Sequence, residues 1–236
     1  MELTIYKSTL QGILKNISKV LKNSQSPMKI IVNNHQVTFI AGNEDVLMEI
    51  NIPSETDEGL IIKRTGSVII SAKYFSDIIK KLPANIHIYL SEHSTINIQS
   101  EEIHTRIFAL TDVKTLNIPD VPAEGVLSLN AAELHTLIRQ TVFAAAVHDN
   151  RPVLTGVKIV ARHGELTFIS TDAHRYSISS LTIPSQLETE MIVPSESLLE
   201  WSKLSLHTEE EVALSLSKNH LALKSKHCYF YIRLIE

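Results

Sequence analysis

The sequence predicts an α+β protein in which helices cover one face of antiparallel sheets. Three observations support this fold class. The strand-like segments alternate apolar and polar residues, as strands with one buried and one wet face do. Each helix-like segment carries a single apolar stripe, which indicates that it lies on a sheet. The order of one strand, one helix and three strands occurs four times along the chain, so two such units are expected in each of two domains.

The first half of the chain contains two of these units. The first consists of the strand ELTIY, a helix with apolar positions Leu10, Ile13, Leu14, Ile17 and Leu21, and the strands MKIIV, QVTFIA and VLMEINI. The second consists of the strand SVIIS, the helix AKYFSDIIKKL and the strands NIHIYLS, TINIQS and HTRIFAL. The pattern predicts two neighbouring helices over curved antiparallel sheets.

A proline-bearing segment, TLNIPDVPAEG, separates the two halves, and the pattern then occurs twice more. The third unit consists of VLSLN, the helix AAELHTLIRQTVFAAAV and the strands GVKIV, ELTFIS and RYSISSLTI. The fourth consists of EMIVP, the helix SESLLEWSKL and the strands EVALSLS, HLALKS and CYFYIRLI. Two tandem domains are therefore predicted, covering residues 1–122 and 123–236.

The composition indicates a soluble globular protein. Of the 236 residues, 44% are hydrophobic and 20% are charged. No segment approaches the ~20 apolar residues of a membrane span, so no membrane partner is expected. The N-terminus, MELTIYKS, lacks the apolar region of a signal peptide. The chain has one cysteine, Cys228, and a reducing, cytoplasmic location is therefore expected.

The basic residues concentrate on the predicted helices, although the net charge is −4. Such a balance argues against a chain that binds nucleic acid with its whole surface, but it allows one basic face. The candidate DNA-contacting residues are Lys15, Lys19, Lys22, Lys73, Lys80, Lys81, Arg139, His148 and Arg151. A solvated helix face is the alternative explanation for each stripe. If nucleic acid binds, we expect contacts to phosphates without sequence readout.

No catalytic constellation emerges from the sequence. The motifs of phosphate-binding loops, serine hydrolases and zinc proteases are missing, and glycine, with seven residues, is scarce. The eleven histidines form no pair with metal-ligand spacing. Asp172, His174 and Arg175 combine an acid with a base, but residues so close in one turn usually bind one another and the backbone. We expect no catalytic residue, no metal and no cofactor.

The stretches RPVLTGV and GELTFISTDAHRYS, together with MIVPSESLLEWSKL and the closing RLIE, carry a family resemblance. Over essentially its whole length the chain resembles the bacterial DNA polymerase III β subunit, the ring-shaped sliding clamp. The resemblance implies the DNA-clamp fold and a role without catalysis. It implies, as partners, double-stranded DNA bound without sequence preference, DNA polymerase and other clamp-binding proteins, a clamp loader, and further copies in a homo-oligomer.

The resemblance also implies a groove for short partner peptides. Transferred by position, the groove residues are Leu154, Thr171, Ala173, His174, Arg175 and Tyr176. The sequence departs from the family pattern in several places. The third clamp domain is absent from these residues, the loop KNSQSPMK is short and lacks the family's arginine, and Ala173 replaces a glycine. A clamp-derived regulatory module that does not encircle DNA and a fragment of a longer clamp are the alternatives, and trimer, dimer and monomer are all left open.

Overall fold

The computed structural model describes residues 1–21, 26–55, 59–91, 94–111, 116–122, 127–204 and 210–236. The chain folds as two compact units. The first unit comprises Met1–Asn43 and Leu47–Asn117, and the second comprises Glu44–Val46 and Ile118–Glu236. The predicted boundary between residues 122 and 123 stays a prediction, because residues 123–126 lie outside the described ranges.

The first unit contains two strand-helix-strand-strand-strand repeats. Its elements are β1 (Glu2–Ile5), α1 (Lys7–Ile17), β2 (Pro27–Val32), β3 (Gln36–Gly42), β4 (Val46–Pro53), β5 (Ile61–Arg64), β6 (Gly66–Ser71), α2 (Ala72–Lys81), β7 (Ile86–Leu90), β8 (Thr95–Ser100) and β9 (Ile103–Phe108). The short strand β5 was not predicted, because four residues are too few to display a period.

Two antiparallel layers support the helices of the first unit. One is a five-stranded sheet in the order β5-β1-β7-β8-β9, and in the other β4, β3, β2 and β6 are neighbours in that order. Helices α1 and α2 pack against each other and bury the apolar stripes that the sequence predicts, including Leu14 and Phe75. The polar sides of both helices consequently remain exposed.

Helix α1 ends earlier than its apolar pattern predicts. It stops at Ile17, and the amide of Lys19 donates to the carbonyl of Asn16 in a tight turn, at 3.0 Å. Of the lysine candidates near this helix, the structure therefore places Lys15 on it, in the last turn, and Lys19 after it, while Lys22 lies outside the described residues.

The second unit repeats the same order. Its elements are β10 (Leu127–Asn130), α3 (Ala131–Thr141), two 3-10 helices (Val142–Ala144 and Pro152–Thr155), β11 (Gly156–Arg162), β12 (Glu165–Thr171), β13 (Tyr176–Thr182), β14 (Thr189–Pro194), α4 (Ser195–Ser202), β15 (Glu211–Leu216), β16 (His220–Lys224) and β17 (Cys228–Arg233). Strands β13, β12, β11 and β14 form a four-stranded sheet, and β10, β15, β16 and β17 are neighbours in that order.

Helix α3 begins where the sequence predicts and ends six residues before the predicted end. Its start is a capping box: Asn130 Oδ1 accepts from the amide of Ala132, and the Glu133 carboxylate accepts from the amide of Asn130. At its end the hydroxyl of Ser170 donates to the carbonyl of Thr141 at 2.5 Å. Because this carbonyl binds Ser170, the backbone continues as a 3-10 turn up to Ala144. In the part of the chain that the structure describes, no helix has the length and apolar character needed to cross a bilayer.

Candidate nucleic-acid and peptide interfaces

The helical surface of the first unit places two predicted lysines beside one groove. Lys15, in the last turn of α1, and Lys80, in the last turn of α2, are both exposed. They line a groove of about 360 Å³. Lys80 Nζ also lies 3.6 Å from Asp77 Oδ1 in an exposed pair, which compensates its charge only in part. The α1–α2 groove, defined by Lys15 and Lys80, therefore presents two lysine side chains from different helices.

The other predicted lysines of this unit lie elsewhere. Lys73 is exposed in the first turn of α2, and Lys19 is half-buried. Lys81 lines a different and larger cavity of about 720 Å³, together with Arg106 and apolar residues of α2 and β9. Arg106 was missed by the sequence reasoning because it occurs in a strand, whereas the reasoning considered helices. The structure thus brings Lys15 and Lys80 together and directs Lys81 to another surface.

The predicted cations of the second unit are exposed, and one of them has an acidic partner. Arg139 lies in the last turn of α3, and His148 lies in the loop that follows. Arg151 Nε lies 3.1 Å from Asp149 Oδ1, and the backbone amide of Arg151 donates to the same oxygen at 2.7 Å. These bonds hold the pKa of Asp149 below its ordinary value and raise the pKa of Arg151. The charge of Arg151 is therefore partly compensated by Asp149.

The turn between β12 and β13 satisfies its own polar groups. The Thr171 hydroxyl donates to the Arg175 carbonyl at 2.7 Å and accepts from the amide of Ala173. Asp172 Oδ1 accepts the amides of His174 and Arg175, at 3.0 and 2.9 Å. These amide bonds hold the pKa of Asp172 below its ordinary value. The cluster is a rigid turn that presents the exposed side chains of His174 and Arg175.

Ala173 adopts a backbone conformation that favours glycine. Its φ is 72°, in the left-handed region where the Cβ of an L residue meets the backbone. Two hydrogen bonds hold this geometry: the amide of Ala173 donates to Thr171 Oγ1, and the amide of His174 donates to Asp172 Oδ1. The observation agrees with the expectation from the family resemblance that Ala173 stands where a glycine is usual.

The six predicted groove residues meet at one end of the four-stranded sheet. Lys158 on β11 pairs with Ile169 on β12 in an antiparallel register, so the start of β11 lies beside the end of β12. Leu154, two residues before β11, therefore lies at the same end as the turn, half-buried, while Tyr176 is 75% exposed. Val153, next to Leu154, is exposed as well and was not among the predicted groove residues.

The described residues of these two regions present binding surfaces. Within the described ranges no group of three or more histidine, cysteine or acidic residues is arranged to hold a metal ion. Asp172 and Arg175 form an ion pair of 3.0 Å within the turn. The arrangement is suited to binding phosphates at the helices and a peptide at the sheet end.

Comparison with known proteins covers the whole chain. Residues 1–124 match the family model of the DNA polymerase III beta subunit, N-terminal domain, and residues 128–236 match that of its central domain. The beta sliding clamp of Bacillus subtilis (strain 168) is 28% identical to this chain and that of Staphylococcus aureus (strain Mu50 / ATCC 700699) is 30% identical. Each alignment covers 100% of this chain and 65% of the relative, so the chain spans less than two thirds of these relatives.

Solved structures agree with the sequence matches. The DNA polymerase sliding clamp from Bacillus subtilis superposes with a TM-score of 0.94 at 28% identity, over 100% of this chain and 65% of that one. The DNA polymerase III beta chain from Streptococcus pneumoniae TIGR4 superposes with a TM-score of 0.93 at the same identity and coverage. The predicted fold class, two tandem α+β units built from repeated strand-helix-strand-strand-strand elements, is confirmed.

Proposed function

Because the chain belongs to the DNA polymerase III β-subunit family, as its motifs predicted, we propose that it acts as a DNA sliding clamp. In this role it contacts or encircles duplex DNA without sequence preference and tethers DNA polymerase and other clamp-binding proteins. It catalyses no reaction itself and serves as an accessory subunit. Loading by a clamp loader, assembly into a homo-oligomer and a cytoplasmic location belong to the same proposal.

The observation that supports DNA contact most directly is the α1–α2 groove. Lys15 and Lys80 come from two helices of the first unit and line this one exposed groove. Lysine binds phosphate as a point charge, without the geometry that reads a base. We therefore expect weak, sequence-independent binding that decreases steeply with salt.

The test compares the salt dependence of DNA binding between two double variants. Lys15→Ala/Lys80→Ala should reduce the magnitude of the log-log salt slope by up to about 2, because each lost phosphate contact contributes roughly one unit. Lys218→Ala/Lys226→Ala is the matched control, since both lysines are exposed in the second unit and outside this groove. An equal slope for both double variants would refute the assignment of the groove to DNA.

We propose further that the sheet end at Leu154 and the 171–175 turn receives the short peptides of clamp-binding proteins. Half-buried Leu154 and exposed Tyr176 supply apolar contacts, and the turn supplies polar ones. Leu154→Ala should weaken a peptide copied from a clamp-binding segment by about 1 kcal/mol or less, below the cost at a fully enclosed anchor. Leu199→Ala, exposed on α4, is the control. Chemical-shift changes confined to other surfaces would contradict this proposal.

A clamp-derived regulatory module is the second candidate. The pairing of Arg151 with Asp149 favours it, because this pair removes free charge from one predicted DNA contact. A module of this kind binds clamp-binding proteins at the sheet end and gives no salt-dependent DNA affinity. The two lysine double variants therefore separate the candidates. A clamp predicts a smaller salt slope for Lys15→Ala/Lys80→Ala, whereas the module predicts no change in DNA binding for either double variant.

A further inference from the structure

Two serines connect the end of helix α3 to the strands on either side of the 171–175 turn. Ser170 lies in β12 directly before the turn, and its hydroxyl donates to the carbonyl of Thr141 at 2.5 Å. Ser177 lies in β13, and its hydroxyl donates to the carbonyl of Gln140, also at 2.5 Å. The two serines are direct partners in the antiparallel register of these strands. One cross-strand pair therefore binds two consecutive carbonyls of the helix.

The two carbonyls belong to the part of a helix that needs outside partners. The last four carbonyls of an α-helix have no donor in the α-helical pattern, and Gln140 and Thr141 are the last two residues of α3. Ser170 is 3% exposed and Thr141 is 0% exposed, so the bond between them is shielded from water. Because a buried acceptor that loses its donor cannot bind water instead, removal of the Ser170 hydroxyl should displace the backbone around it.

The alternation of side chains separates these serines from the residues that face a partner. Successive side chains of a strand point to opposite faces of the sheet. Ser170 and Ser177 bond to α3, whereas their neighbours Thr171 and Tyr176, which also pair with each other, lie on the opposite face. Tyr176 is 75% exposed there. The serines therefore support residues of the peptide site from behind.

The same helix end is connected to Leu154, the apolar residue before β11. The chain continues from α3 through the 3-10 helix Val142–Ala144, and the amide of Ala146 then donates to the carbonyl of Leu154 at 2.8 Å. Leu154 on one side, and Thr171 and Tyr176 on the other, are consequently connected through the two serine bonds.

Other interactions hold the fold of this region. Strands β12 and β13 pair along their whole length without a register shift, and α3 buries Leu134, Leu137 and Ile138. Apolar burial is not directional, so it keeps the helix on the sheet without fixing its exact position along the strands. A hydrogen bond has a preferred length and direction. The serine pair therefore fixes an alignment that the apolar contacts leave adjustable.

We infer that Ser170 and Ser177 are positioning residues of the peptide site. By binding the carbonyls of Thr141 and Gln140 they hold the turn and Leu154 in the arrangement that a peptide meets, so that less ordering accompanies binding. Neither serine contacts the peptide. The inference rests on the proposed peptide site and adds that its affinity depends on two side chains behind the binding surface.

The test titrates the full chain into a fluorescently labelled peptide copied from the clamp-binding segment of a DNA polymerase. Ser170→Ala/Ser177→Ala should weaken the peptide about tenfold and Ser177→Ala about threefold, because the loss of an ordinary hydrogen bond changes an equilibrium a few-fold. Ser177→Thr should bind as wild type, since it keeps the hydroxyl at a half-buried position. Ser215→Ala is the matched control. This serine is 0% exposed in β15 of the same unit, and its loss should leave the affinity unchanged.

Hydrogen exchange without peptide gives a second measurement. In the double variant the amides of Ala146, His174 and Arg175 should exchange about tenfold faster, because their hydrogen bonds open more often when the helix end is released. In Ser215→Ala these amides should exchange as in the wild type. If Ser170→Ala prevents folding, as urea unfolding would show, the two Ser177 variants complete both measurements.

Three results would overturn the inference. These are wild-type affinity in the double variant, equal weakening by Ser177→Ala and Ser177→Thr, and equal weakening by Ser215→Ala. Unchanged exchange at the three amides also refutes it, whatever the peptide does. If the wild-type chain binds no peptide while these amides exchange faster in the double variant, the proposed peptide site fails and the positioning of the turn stands, so the two failures are distinguishable.

Discussion

Arg151 and Asp149 form a two-point ion pair on the surface of the second unit. Arg151 Nε lies 3.1 Å from Asp149 Oδ1, and Arg151 Nη2 lies 3.3 Å from Oδ2. The residues are two positions apart, so the pair forms within one loop. Exposed pairs of this kind contribute little to stability, but this one orients the guanidinium and compensates its charge. Its effect is therefore expected on DNA binding and not on folding.

Asp149→Asn should increase the magnitude of the salt slope of DNA binding by up to about 1, because Arg151 is then free to contact a phosphate. The measurement is DNA affinity over a series of salt concentrations. Asp149→Asn/Arg151→Ala should cancel the increase, and Glu188→Gln, an exposed acid paired with His163, is the control for net charge. If Glu188→Gln increases the slope equally, the effect reflects overall charge and the specific role of the pair is wrong.

Asp172 should stabilise the 171–175 turn only above acidic pH. Its folded-state pKa is lowered by the amides of His174 and Arg175, so the contribution is complete above the unfolded value of about 3.9 and is lost as pH falls through the folded value. The amide resonances of these two residues should therefore titrate with a midpoint below about 3.9. Asp172→Asn keeps an acceptor oxygen and should abolish the titration. A midpoint at or above the ordinary value would contradict the amide contacts.

Ala173→Gly should stabilise the second unit. The left-handed conformation at φ 72° costs an alanine about 1–2 kcal/mol, whereas the greater unfolded-state entropy of glycine opposes folding by about 0.4–1 kcal/mol, so the net gain is up to about 1.6 kcal/mol. Urea unfolding followed by the fluorescence of the single tryptophan, Trp201, reports on this unit. Ala132→Gly, exposed in the first turn of α3, is the control and should destabilise by up to about 1 kcal/mol. A lower midpoint for Ala173→Gly would show that the turn does not impose this conformation.

His135 should make the second unit less stable in mild acid. Burial against Trp201, at a ring separation of 4.9 Å, lowers the pKa of His135. The unfolded chain then binds the proton more readily, so stability falls as pH decreases below about 6.5. The urea midpoint measured by Trp201 fluorescence should be lower at pH 5.5 than at pH 7.5.

The variant His135→Gln should reduce this pH dependence. Part of it should persist, because the pKa of His220 in the same unit is lowered as well, by burial and then by Arg233. His220→Gln is therefore the matched control, and the double variant should remove more than either change alone. An unaltered dependence in His135→Gln would show that its ring is not shielded by Trp201.

The candidate site was predictable where its residues are contiguous. Thr171 to Arg175 form one turn whose hydrogen bonds connect neighbours, so the residue types alone indicate a self-satisfied cluster. The pairing of Arg151 with Asp149 also has a local signal in the sequence, an acid two residues before an arginine, although the sequence analysis did not predict this pair. By contrast, no sequence pattern shows that Lys15 and Lys80 line one groove while Lys81 lines another, because the packing of two helices decides it.

By itself the sequence determined the repeated order of strands and helices and the start of α3. Alternation, apolar stripes and the Asn130–Glu133 capping box each involve residues close together in the chain, so the sequence shows them directly. Only the tertiary structure decided where the helices end and which strand edges stay open. The end of α3 depends on the Ser170 hydroxyl reaching the Thr141 carbonyl, and the openness of β13 depends on the order of strands in its sheet. Both result from contacts between residues far apart in the chain, and such contacts produce no periodic pattern in the local sequence.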